Sequence, residues 1–74
     1  MEIINIPLDK IKSYENNAKE HTVEQIGKVA ESIKRFGFIQ PLVLDKDYEI
    51  VIGHCRYEAS KIIPYDPVPC VIVD

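Results

Sequence analysis

The sequence has no apolar run near the roughly 20 residues that a helix needs to cross a bilayer. Its first residues lack the basic start and long apolar region of a signal peptide, so we expect a cytoplasmic protein without a membrane partner. An excess of positive charge is also absent, because nine Lys and Arg stand against twelve Asp and Glu, a formal net charge of −3. An isolated DNA-binding domain usually carries a basic patch, and this balance argues against one.

Cysteine is scarce, and the two residues present form no C-x-x-C pair. In a cytosolic chain Cys55 and Cys70 are expected to be reduced. Cys70 lies in an apolar run at positions 68–73, which predicts a buried structural thiol. A zinc site would need both thiols with His21 and His54, whose spacing matches no zinc pattern, so we predict no metal site.

The 74 residues form one small domain with alternating element types. The second helix cannot extend past Pro64. Proline cannot donate a hydrogen bond to a neighbouring strand, so Pro7 predicts an edge strand or a strand end, and Pro69 predicts an edge strand. The strands around the second helix need a crossover connection, so part of the sheet is expected to be parallel. The class is α+β, a small mixed sheet covered by two helices in the order β-α-β-β-α-β. Strands are predicted within 3–8, 42–45, 48–52 and 68–73, one helical turn at 8–11, and helices at 22–36 and after 53.

The first helix carries the clearest local signals. Thr22 and Gln25 have the spacing of a capping box, and Gly37 is a natural terminator. Apolar residues recur behind the cap at helical spacing, which predicts a core-facing stripe. The stripe consists of Val23, Ile26, Ala30 and Ile33, with Val29 and Phe36 beside it.

The stretch 50–60 is the candidate for chemistry. Three β-branched residues stop at Gly53, and a helix follows directly. Helix starts expose backbone N–H groups that attract anions, and Arg56 adds a permanently charged fork suited to phosphate. No G-x-x-x-x-G-K-[ST] and no G-x-G-x-x-G accompanies them. From the residues alone, Gly53 and Arg56 predict either an anion site or an ordinary turn beside a surface charge.

Two segments carry a family resemblance. Positions 37–43, Gly-Phe-Ile-Gln-Pro-Leu-Val, precede positions 50–59, Ile-Val-Ile-Gly-His-Cys-Arg-Tyr-Glu-Ala, and the opening 6–11 and closing 68–73 fit the same pattern. Together they resemble the N-terminal domain of the ParB/sulfiredoxin superfamily over essentially the whole chain. The resemblance implies a single ParB N-terminal-like domain at 1–74, with that superfamily's fold.

The resemblance also implies a nucleotide site, with CTP or ATP as ligand and Mg²⁺ accompanying it. ParB partition proteins hold CTP phosphates at a Gly-Glu-Arg-Arg segment, sulfiredoxin holds ATP at Gly-Cys-His-Arg, and related serine kinases have Gly-His-His-Arg. Positions 53–56 read Gly-His-Cys-Arg. Gly53 and Arg56 match all three forms, and His54 matches the kinase form as well.

Positions 54 and 55 differ from some of these forms, and the differences bear on the roles of His54 and Cys55. Cys55 stands one position after the sulfiredoxin cysteine, and one residue turns a helical side chain by about 100°, so sulfiredoxin activity is not expected. Cys55 has either a lowered pKa at the helix start or a packing role on a face with Ala59 and Ile62, which we favour. His54 is expected to contact a phosphate, act as an acid or base, or simply cap the turn; we favour the phosphate contact because the serine-kinase form has a histidine there.

Three further positions complete the predicted site. Glu15, in an early polar loop, resembles the kinase position for a base that orients an acceptor hydroxyl, or is simply a solvated loop residue. Gln40 and Pro41 are expected to shape the opposite wall of the pocket. Phe38 and Ile39 either line that pocket or belong to the core.

Three functions remain open. The leading one is a ParB-like nucleotide-binding module within a DNA-linked system such as partition, reaching DNA only through other domains or a partner. The second is a small-molecule phosphotransferase resembling the serine kinases, and the third is an interaction module without nucleotide binding. The residues decide neither whether a nucleotide is hydrolysed nor whether the chain forms a homodimer.

Overall fold

The computed structural model describes residues 2–13 and 22–73. Its two helices are α1 (Val23–Phe36) and α2 (His54–Ile62), and a single 3₁₀ turn covers Leu8–Lys10. The strands are β1 (Ile3–Ile6), β2 (Leu42–Leu44), β3 (Ile50–Ile52) and β4 (Val68–Ile72). The predicted α+β class and the predicted element order are confirmed.

The strands form one mixed sheet in the order β1-β4-β2-β3. β4 pairs with β1 antiparallel and with β2 parallel, while β2 and β3 form an antiparallel hairpin. The parallel part of the sheet is therefore the β2–β4 ladder. Asp45 closes the hairpin, since its Oδ1 accepts hydrogen bonds from the amides of Asp47 at 2.8 Å and Glu49 at 3.0 Å.

The prediction that Pro69 marks an edge strand is wrong, because β4 lies in the interior of the sheet. Pro69 pairs with Asn5 on the β1 side, whereas the ladder to β2 begins one residue later, at Cys70. The missing N–H therefore falls before the parallel ladder starts. Pro7 behaves as expected, since β1 is an edge strand that ends at Ile6.

α1 begins with the predicted capping box. The Thr22 amide donates to Gln25 Oε1 at 3.1 Å, and the Gln25 amide donates to Thr22 Oγ1 at 3.1 Å. The helix ends at Gly37, whose φ of 82° lies in the region that favours glycine. The prediction that Val23 belongs to the buried stripe is wrong, because its side chain is 86% exposed. The core contacts of α1 begin one turn later, at Ile26.

The buried face of α2 differs from the predicted one. Tyr57, Ala59 and Ser60 are buried, while Ile62 is 61% exposed. At about 100° per residue, Tyr57 and Ser60 lie on the opposite side of Ala59 from Cys55 and Ile62. A buried serine is tolerated here because its Oγ donates to the carbonyl of Arg56 at 2.7 Å.

Two hydrophobic clusters share the interior. The larger lies on the sheet and includes Leu42, Leu44 and Cys70, and the smaller joins α1 to α2 through Ala30, Ile33 and Ala59. Cys70 is the buried thiol that its apolar run predicts. Phe38 and Tyr65 pack against both clusters, with their ring centroids 5.5 Å apart. The segment after α1 is thereby held against the body of the domain.

The capping box yields a test of how α1 is stabilised. Thr22→Ala removes the acceptor for the Gln25 amide, so we expect the free energy of unfolding to fall by about 1 kcal/mol. Urea denaturation followed by circular dichroism measures the change. Thr22→Ser keeps the hydroxyl and is expected to stay within a few tenths of a kcal/mol of the unsubstituted protein. Equal losses in both variants would contradict a capping role.

Candidate functional site

Gly53 connects β3 to α2 in a conformation that glycine favours. Its φ is 110° and its ψ is 24°, and its carbonyl accepts the first helical hydrogen bond from Tyr57 at 2.9 Å. A Cβ at this position would lie 2.6 Å from Leu42 Cδ2 and 3.3 Å from Arg56 Nη2. Both backbone geometry and space therefore require glycine, and no side chain caps the start of α2.

Arg56 folds back over this turn from within the first turn of α2. Its Nη1 donates to Gln40 Oε1 at 2.8 Å. Its Nε is buried and has no hydrogen-bond acceptor among the described residues. Because a buried donor without an acceptor costs about 1–3 kcal/mol, this atom points to a ligand that supplies one.

Two surface hollows meet at Arg56 and Val29, which line both of them. The first, here called the apolar hollow, has a volume of about 330 Å³ and lies between α1 and the segment at 37–40. The second, the glycine hollow, has a volume of about 320 Å³ and lies over the end of β3 and the start of α2. Arg56 therefore borders both a mainly apolar space and a space at a helix N-terminus.

The structure brings together most of the predicted site residues. Gly53, His54, Cys55 and Arg56 line the glycine hollow, and Gln40 and Arg56 line the apolar hollow. Pro41 is half-buried and lines neither hollow, and Glu15 lies outside the described residues. Their functional roles stay predictions.

Residues 37–40 of the predicted wall segment line the apolar hollow. Phe38 fulfils both expected roles, since it lines the apolar hollow and packs on the core, whereas Ile39 lines the hollow and is 72% exposed. α1 also contributes Val29 and Ser32 to the apolar hollow, and neither is among the predicted site residues. Val29 lies beside the predicted apolar stripe, which indicates an inward-facing side chain but not a place in a hollow, and nothing in the sequence distinguishes Ser32.

Cys55 has a less reactive thiol than a helix start suggests. Burial raises its pKa above the ordinary value of 9.0, the nearby Arg56 guanidinium lowers it, and the Glu58 carboxylate raises it. Of the two alternatives for Cys55, the lowered pKa, which we did not favour, is therefore wrong, because desolvation outweighs the neighbouring positive charge. Cys55 is half-buried in the wall of the glycine hollow, outside both hydrophobic clusters.

The side chains that could bind a metal ion are dispersed over the described residues. Within residues 2–13 and 22–73, no three His, Cys, Asp or Glu side chains lie close enough together to hold a metal ion. Neither α1 nor α2 is long and apolar enough to cross a membrane.

Sequence comparison matches the whole chain to one family. The family model described as the ParB N-terminal domain covers residues 1–74. The chain is 36% identical over 73 residues to the ParB-like nuclease domain-containing protein YnaK of Escherichia coli, covering 99% of this chain and 84% of YnaK. It is also 36% identical to the probable chromosome-partitioning protein ParB of Rickettsia prowazekii, covering 97% of this chain but only 25% of that protein.

Three solved structures have the same fold. Sulfiredoxin from Arabidopsis thaliana matches with a TM-score of 0.89 at 22% identity, over all of this chain and 86% of that one. ParB from Caulobacter crescentus, complexed with CTP-γ-S, matches at 0.84 and 18% identity, over all of this chain and 45% of that one. A free serine kinase in complex with AMP matches at 0.83 and 30% identity, over all of this chain and 32% of that one.

The requirement for glycine at position 53 is testable by stability. Gly53→Ala forces a Cβ against Leu42 at a positive φ, so we expect a loss of about 2 kcal/mol in the free energy of unfolding. Gly27→Ala is the matched control, since a Cβ there meets nothing within 4 Å. In the middle of α1 this control should gain about 0.5–1 kcal/mol. A Gly53→Ala protein as stable as the unsubstituted one would refute the constraint.

The raised pKa of Cys55 predicts slow alkylation at neutral pH. The rate of reaction with iodoacetamide should rise with a midpoint above pH 9.0, because the thiolate is the nucleophile. Glu58→Gln should move the midpoint to lower pH, since the carboxylate opposes ionisation. Cys55→Ser is the control, leaving Cys70, whose burial raises its pKa to about 11. A midpoint near pH 7 would contradict the prediction.

Proposed function

The chain belongs to the ParB N-terminal domain family, and on this premise we propose that it binds a nucleotide, with the phosphates at Gly53 and Arg56. The observation that carries the proposal is the buried Arg56 Nε, which has no acceptor among the described residues and lies beside the αL turn at Gly53. A phosphate oxygen would supply that acceptor. The proposed ligand is CTP or ATP, with Mg²⁺ held mainly by the phosphates.

The charges around the glycine hollow favour an anion. Amide N–H groups in the first turn of a helix have no acceptor within the helix, and the helix dipole adds positive potential there. The first turn of α2 contains no acidic residue. Arg56 supplies a permanent positive charge in a planar fork that matches phosphate geometry. His54 and Cys55 line the same hollow, where they would contact the phosphates.

The apolar hollow gives the rest of a nucleotide a place to bind. It shares Arg56 and Val29 with the glycine hollow and is also bordered by Ile33 and Phe38. Its volume of about 330 Å³ is enough to receive a base or ribose against apolar side chains. Nucleotides in two structures of the same fold, CTP-γ-S and AMP, support this reading.

A link to DNA is proposed from the relatives of this chain, and it would depend on other domains or proteins. The chain spans 84% of YnaK but only a quarter of the partition protein, so most of the latter has no counterpart here. We propose that contact with DNA, in partition or regulation, is made by other domains or a partner protein. A cytoplasmic location stays a prediction from the sequence, and a homodimer stays an open possibility.

A phosphotransferase acting on a small molecule is the second candidate. The observation in its favour is the 30% identity to the free serine kinase, over all of this chain. His54 lines the glycine hollow, where it could contact a transferring phosphate, and Glu15 is retained as the proposed base. This reading requires that ATP be consumed in the presence of free serine.

Isothermal titration with CTP, ATP and GTP, with and without Mg²⁺, tests the proposal. We expect at least one nucleotide to bind, and Arg56→Ala to abolish that binding because the fork and its charge are lost. Arg35→Ala is the matched control, since the Arg35 guanidinium is exposed on α1 over the Phe36 ring, 5.4 Å from its centroid.

The outcomes separate the candidates. If no nucleotide binds at millimolar concentration, both nucleotide-binding candidates fail, and an interaction module without nucleotide binding is favoured. Consumption of ATP with free serine would select the phosphotransferase. Full affinity in Arg56→Ala would show that the phosphates bind elsewhere.

A further inference from the structure

Gln40 and Arg56 form a side-chain contact between two separate parts of the chain. The donor Nη1 and acceptor Oε1 are 2.8 Å apart, although the residues are 16 positions apart in sequence. The contact joins the segment after α1 to the first turn of α2. It also spans the border between the two hollows, because Gln40 lines only the apolar hollow and Arg56 lines both.

The contact determines which edge of the Arg56 fork is available. A guanidinium carries its N–H donors in a fixed plane, with Nε and Nη2 sharing one edge. Gln40 occupies Nη1, on the other side of the group. Of the Arg56 atoms, Nη2 and Nε lie nearest Gly53, at 3.3 and 3.6 Å from the place where its Cβ would be. The Nε–Nη2 edge, which can bind two phosphate oxygens at once, is therefore kept at the start of α2.

The segment that carries Gln40 is itself held in place. Gly37 adopts a φ of 82° at the end of α1 and turns the chain towards α2. The next residue, Phe38, packs against both hydrophobic clusters and against the Tyr65 ring. Gln40 lies two residues beyond this anchor. A side chain placed by a packed segment can orient a functional group at lower entropic cost than a freely moving one.

We propose that Gln40 is a positioning residue: its side-chain carbonyl holds the Arg56 guanidinium so that the Nε–Nη2 edge receives the phosphate at Gly53. Gln40 then acts through Arg56 and does not itself contact the nucleotide. This inference rests on the proposed function. It assigns to Gln40 a role different from that of a wall residue that contacts the ligand.

A double-mutant cycle distinguishes the two roles. Gln40→Met keeps the length of the side chain but removes the acceptor, and Arg56→Lys keeps the charge but removes the fork. Titration with CTP and Mg²⁺, and with ATP and Mg²⁺ in parallel, gives the four affinities. We expect Gln40→Met alone to weaken binding about fivefold, the size expected for one lost hydrogen bond. In the Arg56→Lys background it should cause no further loss, because the group that it orients is gone.

Equal losses in both backgrounds would mean that Gln40 contacts the nucleotide directly, which overturns the inference. Unchanged affinity in Gln40→Met also overturns it. If the unsubstituted protein binds neither nucleotide, the proposed function itself fails. Nucleotide binding with no effect at Gln40 would leave the proposed function intact and remove only the positioning role.

A second measurement needs no ligand. In ¹⁵N-edited NMR spectra of the nucleotide-free protein, Arg56→Lys assigns the Arg56 Nε–H signal by its disappearance. We expect a protected signal that exchanges slowly with water, and faster exchange in Gln40→Met. Gln40→Glu keeps the acceptor oxygen and should restore slow exchange, whereas its negative charge should weaken nucleotide binding. Gln25→Met, the same change at the capping box, is the control that should leave the signal unchanged. Equally slow exchange in Gln40→Met would refute the positioning role without any nucleotide.

Discussion

The missing side chain at Gly53 is the constraint on which the core and the candidate site both depend. Leu42 Cδ2 occupies one side of the space that a Cβ would need, and the Arg56 guanidinium occupies another. Leu42 is fully buried in β2, next to the central strand β4. Since packed interiors leave little room for adjustment, the position of Arg56 is tied to the packing of the sheet. The start of α2 is therefore a rigid place on which to bind a ligand.

The packing of the segment that follows α1 is a second support for the candidate site. α1 ends at Gly37, and the chain then passes Phe38, which packs with Tyr65 between the two hydrophobic clusters. This packing brings the 37–40 segment against α2 and places Gln40 within hydrogen-bond distance of Arg56. The two halves of the candidate site thus come from different parts of the chain, one following α1 and the other at the start of α2. Each is anchored by apolar packing close to its polar residues.

Local features of the chain were predictable where the physics is local. The capping box at Thr22 and Gln25, the end of α1 at Gly37 and the glycine before α2 all depend on residues within a few positions of one another. Sheet order depends on long-range pairing, so the proline in β4 does not reveal that this strand lies inside the sheet. The short helix α2 has too few turns for its sequence to determine its buried face, which includes Tyr57 and Ser60 but not Ile62.

The candidate site likewise has one part that local sequence predicts and one part that depends on tertiary packing. Gly53 and Arg56 are candidates on sequence alone because a strand, a glycine and a helix start are adjacent in the chain. The Gln40–Arg56 contact joins residues 16 positions apart, and its geometry follows only from the packing of Phe38 and the turn at Gly37. α1 lines the apolar hollow with Val29 and Ser32. Their position there depends on how the two helices pack against each other. No spacing rule within one helix reveals such a contribution.

The overall charge of the chain gives a misleading picture of this site. The formal net charge is −3, yet the first turn of α2 has no acidic residue, and the nearby Glu58 carboxylate pairs with Lys61 Nζ at 2.8 Å. The Cys55 thiol adds no negative charge near neutral pH because burial raises its pKa. Exposed charges farther away than about 10 Å are screened at moderate ionic strength. Arg56 and the helix start therefore place positive charge beside Gly53 in a chain whose total charge is negative.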